Sequence, residues 1–313
     1  MQFRTFAIEM PLRFRGISRR EGMLLEGPAG WAEFSPFLDY DPAECVPWLA
    51  AAVHSAAHEW PTPLRDQIPI NCTVPAVAPG QAADIVRRSG CLTAKVKVAE
   101  PGQTRADDIE RVEAVRDALG PLGHVRVDAN GGWSVDEAVS AIADLNRAAH
   151  GLEYVEQPCA SVEDLAAVRR RVDVPIAADE SIRRADDPMR VVELEAADIA
   201  VLKVQPLGGV HACLQIAEQI GLPVVVSSAV DTSIGLAAGL ALAAALPDLP
   251  HACGLGTTSL LAGDVVASPL VPINGMLPVG RQSLDETAFA AVAADAKTDA
   301  RWQARLAAVR GAS

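Results

Sequence analysis

Residues 92–130, LTAKVKVAEPGQTRADDIERVEAVRDALGPLGHVRVDAN, decide how the chain folds. They open on a β-branched run, LTAKVKV (92–98), and close on a second, HVRVDAN (124–130). Between the two runs, RADDIERVEAVRDAL alternates charged residues with Ile, Val, Ala and Leu at helical spacing. Strand, amphipathic helix and strand form the unit of parallel sheets, because parallel neighbours need a long crossover. The first run also sets a problem. Residues two apart on a strand share a face, so Lys95 and Lys97 point the same way. If they point inward, two cations are buried side by side, and buried charges need partners.

The same rhythm runs outward in both directions. IPINCTV (68–74), LEYVEQ (152–157), VPIAADE (174–180), DIAVLKV (198–204), LPVVVSSA (222–229) and HACGLG (251–256) read as further strands. SVDEAVSAIADLNRA, SVEDLAAVRRRV, DPMRVVELEA and GVHACLQIAEQI read as helices between them. Ser134 with Glu137 three positions on predicts a capping box. Ser161 with Asp164 predicts a helix start whose shorter acid reaches back less well. Eight strands alternating with helices predict an α/β fold, a (β/α)8-type barrel. An open doubly wound sheet is the structural alternative, but no G-x-G-x-x-G follows the first strand. FAIEMPLRF, MLLEG and GWAEFSPF suggest a small antiparallel sheet, and PAECVPWLAAAVHSAAHEW a helix. Residues 1–66 are therefore expected to form an α+β capping domain, completed by about 276–313, over a barrel spanning 67–275.

Composition narrows the function. Half of the 313 residues are apolar and net charge is −13, so no clustered basic footprint for nucleic acid is expected. An anionic substrate would need positive charge supplied locally. The six cysteines are scattered without a C-x-x-C pair and read as buried thiols of a reducing, cytoplasmic compartment. SIGLAAGLALAAALPDLPHACGLG is too short and too Ala/Gly-rich to be expected as a membrane span, and MQFRTFAIEMPLRFRGISRREG, without a continuous apolar core or a small-residue cleavage site, is not expected to act as a secretory signal.

In such barrels chemistry sits at the C-terminal ends of strands. Those ends carry Lys95 and Lys97, then Asp128 with Asn130 two residues on, then Glu156, Asp179 and Lys203. Each acid lies about one βα unit after the last, so all converge at one mouth. A single Asp or Glu here would read as a loop cap. Three in register repel one another unless a cation compensates. All-oxygen ligation suits Mg²⁺, with Mn²⁺ a substitute; the isolated histidines offer no H-E-x-x-H for zinc. A lysine beside another cation is a usable base, and a metal-bound carboxylate has an acidified α-proton. The barrel thus reads as a site for proton abstraction next to a small anionic substrate's carboxylate. Lysine stems snorkelling at strand ends would account for Lys95 alone, but not for three lysines beside three acids.

This pattern resembles the enolase superfamily, muconate-lactonising-enzyme branch, whose Lys base and Mg²⁺ are a known pairing. Within the branch, GWAEFSPF, TAKVKVAEPGQ, VRVDANGGW, EYVEQPCA, PIAADESIR, DIAVLKVQPLGG, VVVSSAVDTSIG and HACGLGT together are most similar to the o-succinylbenzoate synthase family. That resemblance implies a dehydration of a cyclohexadiene carboxylate to 2-succinylbenzoate, for menaquinone. It implies Asp128, Glu156 and Asp179 as Mg²⁺ ligands and Lys97 as the base that later returns the proton to the departing hydroxyl. Lys95 would lower the pKa of Lys97 and contact the substrate carboxylate, and Lys203 would stabilise the enediolate. Asn130 is implied in the second shell or on the substrate. Ser227, Ser228 and Gly254 resemble contacts to the succinyl arm, although each serine reads equally as a turn residue. RFRGISRREG lies where the cap's specificity loop lies in relatives, and is short here. Racemisation or epimerisation of N-acylamino acids needs bases on both faces, which Lys97 and Lys203 supply. Cycloisomerisation is a weaker rival. A non-catalytic scaffold would have lost one or more of the six ionisable residues.

Overall fold

A computed structural model describes residues 2–184 and 187–312. The chain opens with strands β1 (Phe3–Phe14), β2 (Ile17–Gly27) and β3 (Gly30–Phe34), paired antiparallel in that order, and helix α1 (Val46–Ala57). Arg15 and Gly16, both at positive φ, make the two-residue turn between β1 and β2. Such a turn matches strand twist and favours glycine. The segment placed by resemblance at the cap's specificity loop is therefore a tight hairpin.

Next come β4 (Gln67–Pro69), β5 (Cys72–Val74), α2 (Pro79–Ser89), β6 (Thr93–Lys97), α3 (Arg105–Leu119), β7 (His124–Asp128), α4 (Val135–Ala148), β8 (Leu152–Glu156) and α5 (Val162–Arg169). There follow β9 (Ile176–Ala178), short helices α6 (Glu180–Arg183) and α7 (Arg190–Glu193), β10 (Ile199–Lys203), α8 (Val210–Ile220), β11 (Val224–Ser227) and α9 (Ser233–Ala245). The chain ends with β12 (Met276–Pro278), α10 (Glu286–Val292) and α11 (Ala296–Ala312). Strands β5 to β11 form one seven-stranded sheet with neighbours in sequence order, all parallel. β4 pairs with β12.

Three expectations change in detail. IPINCTV breaks into β4 and β5 around Ile70 and Asn71. HACGLG is not a strand but two parallel bridges, Cys253 to Ile70 and Gly254 to Ser227, which close the sheet between its edges. Glycine is what permits that approach: a Cβ on Gly254 would lie 2.6 Å from the Ser227 Oγ. DPMRVVELEA yields a single helical turn at α7. The caps follow the side chains. Ser134 and Glu137 form the reciprocal box, and Ser161 accepts from the Asp164 N–H without the return bond. Thr104 and Asp107, not anticipated, form a full box on α3.

The apolar helix α9 is buried along almost its whole length, so its lack of a polar face reflects packing on two sides. Its N-terminus is tied to the N-terminal sheet. The Glu33 carboxylate accepts from the Thr232 and Gly235 N–H groups at 3.0 and 3.2 Å, where anionic charge suits a helix start. Arg20, fully buried, donates to the Val230 and Glu21 carbonyls at 3.0 Å each. Phe34, Phe37, Tyr40, Trp48 and Trp302 pack in one cluster with Ala229 and Val230 from the loop after β11. The sheet of β1–β3 is thereby fixed over the strand ends where the acids and lysines lie. Among the described residues, no helix is long and apolar enough to cross a membrane.

Candidate active site

Parallel register sets the geometry. Lys97 is paired with Asp128 across β6 and β7, and Asp128 with Glu156 across β7 and β8. Asp179 follows β9 directly, and Lys203 ends β10. The three carboxylates are at most 1 % exposed, too buried to stay ionised without partners. Those partners are cations from the neighbouring strands.

Lys95 and Lys97 do share a face, and both reach Asp128. The Lys95 Nζ lies 3.3 Å from Asp128 Oδ2 and donates to both Glu156 oxygens at 2.8 and 2.9 Å. One ammonium therefore bridges two carboxylates on adjacent strands. The Lys97 Nζ donates to Asp128 and, at 2.5 Å, to the Asn130 Oδ1. Asn130 is held by its own N–H on Asp128 Oδ1 at 3.0 Å, with backbone in the left-handed region. The Lys203 Nζ donates to Asp179 Oδ2 at 2.6 Å, while the Arg183 Nε takes the other oxygen at 2.9 Å.

These contacts set the protonation states. Burial opposes ionisation of Asp128, yet Lys97 and Lys95 hold it well below the usual carboxylate range. Burial also opposes ionisation of Asp179, and Arg183 and Lys203 hold it down to about 2. Glu156 differs: burial and the like charge of Asp128 push it up to about 7, against the pull of Lys95. Burial would lower Lys95, but Glu156 and Asp128 hold it raised; burial lowers Lys203 against the pull of Asp179. The cluster is thus a carboxylate set with one member still short of positive charge.

A small cavity of about 40 Å³ opens above it. Lys95, Lys97, Asp128, Asn130, Lys203, Ser227, Ser228 and Gly254 line this cavity, and Glu156 and Asp179 lie buried beneath it. Ser227 and Ser228 both donate to the Gly254 carbonyl, at 3.3 and 3.2 Å, and Ser228 shares a 2.7 Å bond with Thr257. The roof comes from the N-terminal unit: Phe14 and Arg15 at the β1–β2 hairpin, Phe37 from the segment after β3, and Trp48 of α1; the Phe14 ring centroid is 5.2 Å from the Lys97 Nζ. None of these four was anticipated individually. Arg183 was missed too, although its spacing of four from Asp179 at a helix start could have revealed it.

An oxygen-rich, deeply buried donor set with a positive charge already seated between two of its carboxylates fits a divalent cation. The carboxylates are not a ready cage, because the Lys95 ammonium sits between Asp128 and Glu156. Among the described residues, no three acidic, histidine or cysteine side chains are grouped to hold an ion as they stand.

Comparison with known proteins identifies the family and the fold. Residues 78–283 match the family described as Enolase C-terminal domain-like, and residues 5–56 match Enolase N-terminal domain-like. The o-succinylbenzoate synthase of Thermobifida fusca (strain YX) is 63 % identical over 312 residues, covering 100 % of this chain and 97 % of the relative. That of Mycolicibacterium smegmatis is 58 % identical, covering 92 % and 88 %. The crystal structure of muconate cycloisomerase from Pseudomonas fluorescens superposes with a TM-score of 0.76 at 22 % identity, covering 94 % of this chain and 98 % of that one.

Proposed function

Because this chain belongs to the o-succinylbenzoate synthase family of the enolase superfamily, we propose that it dehydrates a cyclohexadiene carboxylate to 2-succinylbenzoate for menaquinone biosynthesis, at the cavity above Asp128, Glu156 and Asp179. One observation carries the assignment of that site: three buried carboxylates on consecutive strand ends, each paired with a cation that lines the same cavity. Asp128, Glu156 and Asp179 would hold one Mg²⁺, with Mn²⁺ a substitute. When bound, the ion supplies the charge that acidifies the proton next to the substrate carboxylate.

The rest falls to side chains. Lys97 removes the α-proton, and the electron pair moves into the carboxylate as an enediolate. Lys203, in the same cavity and held by Asp179, lends that enediolate positive charge. The pair then returns to expel the β-hydroxyl, which takes the proton back from Lys97 and leaves as water. Lys95 holds Glu156 and Asp128 in place and offers its charge to the substrate carboxylate. Asn130 orients the Lys97 ammonium through its 2.5 Å bond. Phe14 and Phe37 in the roof would limit the access of water to the lysines once substrate fills the cavity. Ser227, Ser228 and Gly254 line the same cavity and would meet a polar arm of the substrate.

Activity should depend on the divalent ion. Followed by loss of the cyclohexadiene absorbance, turnover is expected to vanish in EDTA and return on adding Mg²⁺. Undiminished turnover in EDTA would contradict the assignment.

A further inference from the structure

Asp179 is held by a residue that also reaches the N-terminal sheet's side of the molecule. Each Asp179 oxygen has its own cation: Lys203 on Oδ2 at 2.6 Å and Arg183 on Oδ1 at 2.9 Å. Arg183 spends its remaining donors elsewhere. One terminal nitrogen donates to Glu180 Oε1 at 2.6 Å, and the other donates to the Tyr40 hydroxyl. Tyr40 belongs to the segment between β3 and α1, so its bond to Arg183 crosses from one unit to the other.

The surroundings make this a fixed junction. Arg183 and Tyr40 are both buried, at 5 % side-chain and 4 % residue exposure. The Tyr40 ring packs edge-on against Trp48 and Phe37, with centroids 5.7 and 6.1 Å apart. Arg15, at the hairpin tip over the cavity, approaches the same hydroxyl at 3.4 Å. Next to Arg183, Arg184 donates to Glu44 at 2.7 Å and lies 4.7 Å over the Tyr40 ring. A planar guanidinium with all three of its nitrogens engaged has one orientation, and it passes that orientation to the carboxylate it holds.

We propose that Arg183 is the positioning residue for the Asp179 carboxylate and that the Tyr40 hydroxyl fixes Arg183, so that the N-terminal unit takes part in forming the ion site. This rests on Asp179 being an ion ligand. Partners that orient a ligating carboxylate are worth about 10- to 100-fold in metal affinity or activity. The Tyr40 hydroxyl is uncharged, so its removal changes the geometry around Asp179 without changing the charge there.

The test is Tyr40→Phe, which keeps the ring against Trp48 and Phe37 and removes only the hydroxyl. Mn²⁺ affinity, read from the free-ion electron paramagnetic resonance signal, is expected to weaken about tenfold while the thermal midpoint holds. Turnover lost at low Mg²⁺ should return at high Mg²⁺ with kcat close to that of the parent, a repair that general destabilisation would not allow. Arg183→Lys, keeping charge but not the fork, should weaken Mn²⁺ at least as much. Asp179→Asn separates the two claims. If Asp179→Asn abolishes Mn²⁺ binding and Tyr40→Phe binds within twofold of the parent, the positioning role is overturned and the ligand assignment stands. If Asp179→Asn binds Mn²⁺ like the parent, both are overturned.

Discussion

Lys97→Ala is expected to lower kcat by about 10⁴-fold, the upper end of what a positioned acid–base group supplies, because this one amine acts first as base and then as acid. The protein should stay folded. Deleting Lys97 does not strand the buried Asp128, which keeps Lys95 at 3.3 Å and the Asn130 N–H at 3.0 Å. Lys95 stands differently. It supplies the only ion pair found for Glu156 among the described residues, so its loss would confound chemistry with the cost of a stranded buried charge, about 3–5 kcal/mol. A stopped or steady-state assay on Lys97→Ala, beside its circular dichroism spectrum, checks the expectation. Retained turnover would remove Lys97 from the role of base.

Lys203→Ala is expected to cost about 10³-fold in kcat, the scale of a lost charge at a developing oxyanion. Asp179 keeps Arg183 at 2.9 Å, so this variant too should fold. The loss should fall on kcat and leave substrate affinity nearly unchanged, since the enediolate carries the charge that Lys203 meets. The same variant separates dehydration from racemisation. With an N-succinylamino acid in D₂O, the parent would exchange the α-proton through either lysine only if both act as bases. Lys203→Ala would then lose exchange from one enantiomer and keep it from the other. Equal dehydration by Lys203→Ala and the parent would contradict the electrostatic role.

The parts of the site made of regular structure could be read from the residues alone. A strand alternates faces, so Lys95 and Lys97 had to point together, and parallel pairing then placed Asp128 beside Lys97 and Glu156 beside Asp128. Ser134 and Glu137 announced α4 because both halves of that capping box are local. What stayed hidden depends on chain segments far apart in sequence. Glu33 meets the start of α9 across roughly two-thirds of the chain, and Arg183 meets Tyr40 across nearly half of it, and no local pattern encodes either meeting. The last barrel position was misread for a different reason. HACGLG has the composition of a strand, but it makes only two bridges, because Gly254 and Gly256 bring backbone against Ser227 and Asn71. The roof residues Phe14, Phe37 and Trp48 carry no signal that separates a cavity wall from an ordinary core aromatic.

The arrangement also explains why lysines and acids occur together in a chain of net charge −13. Lys95, Lys97, Lys203 and Arg183 already hold the carboxylates that would bind an ion, so the strand ends can stay buried and ordered before it arrives. Glu156, pushed up to about 7, marks where their charge falls short.

The most direct measurement is anomalous diffraction from crystals of the protein grown with Mn²⁺. A single peak within bonding distance of Asp128, Glu156 and Asp179 together is the result this account predicts. A peak elsewhere, or one touched by fewer than two of these carboxylates, would contradict it.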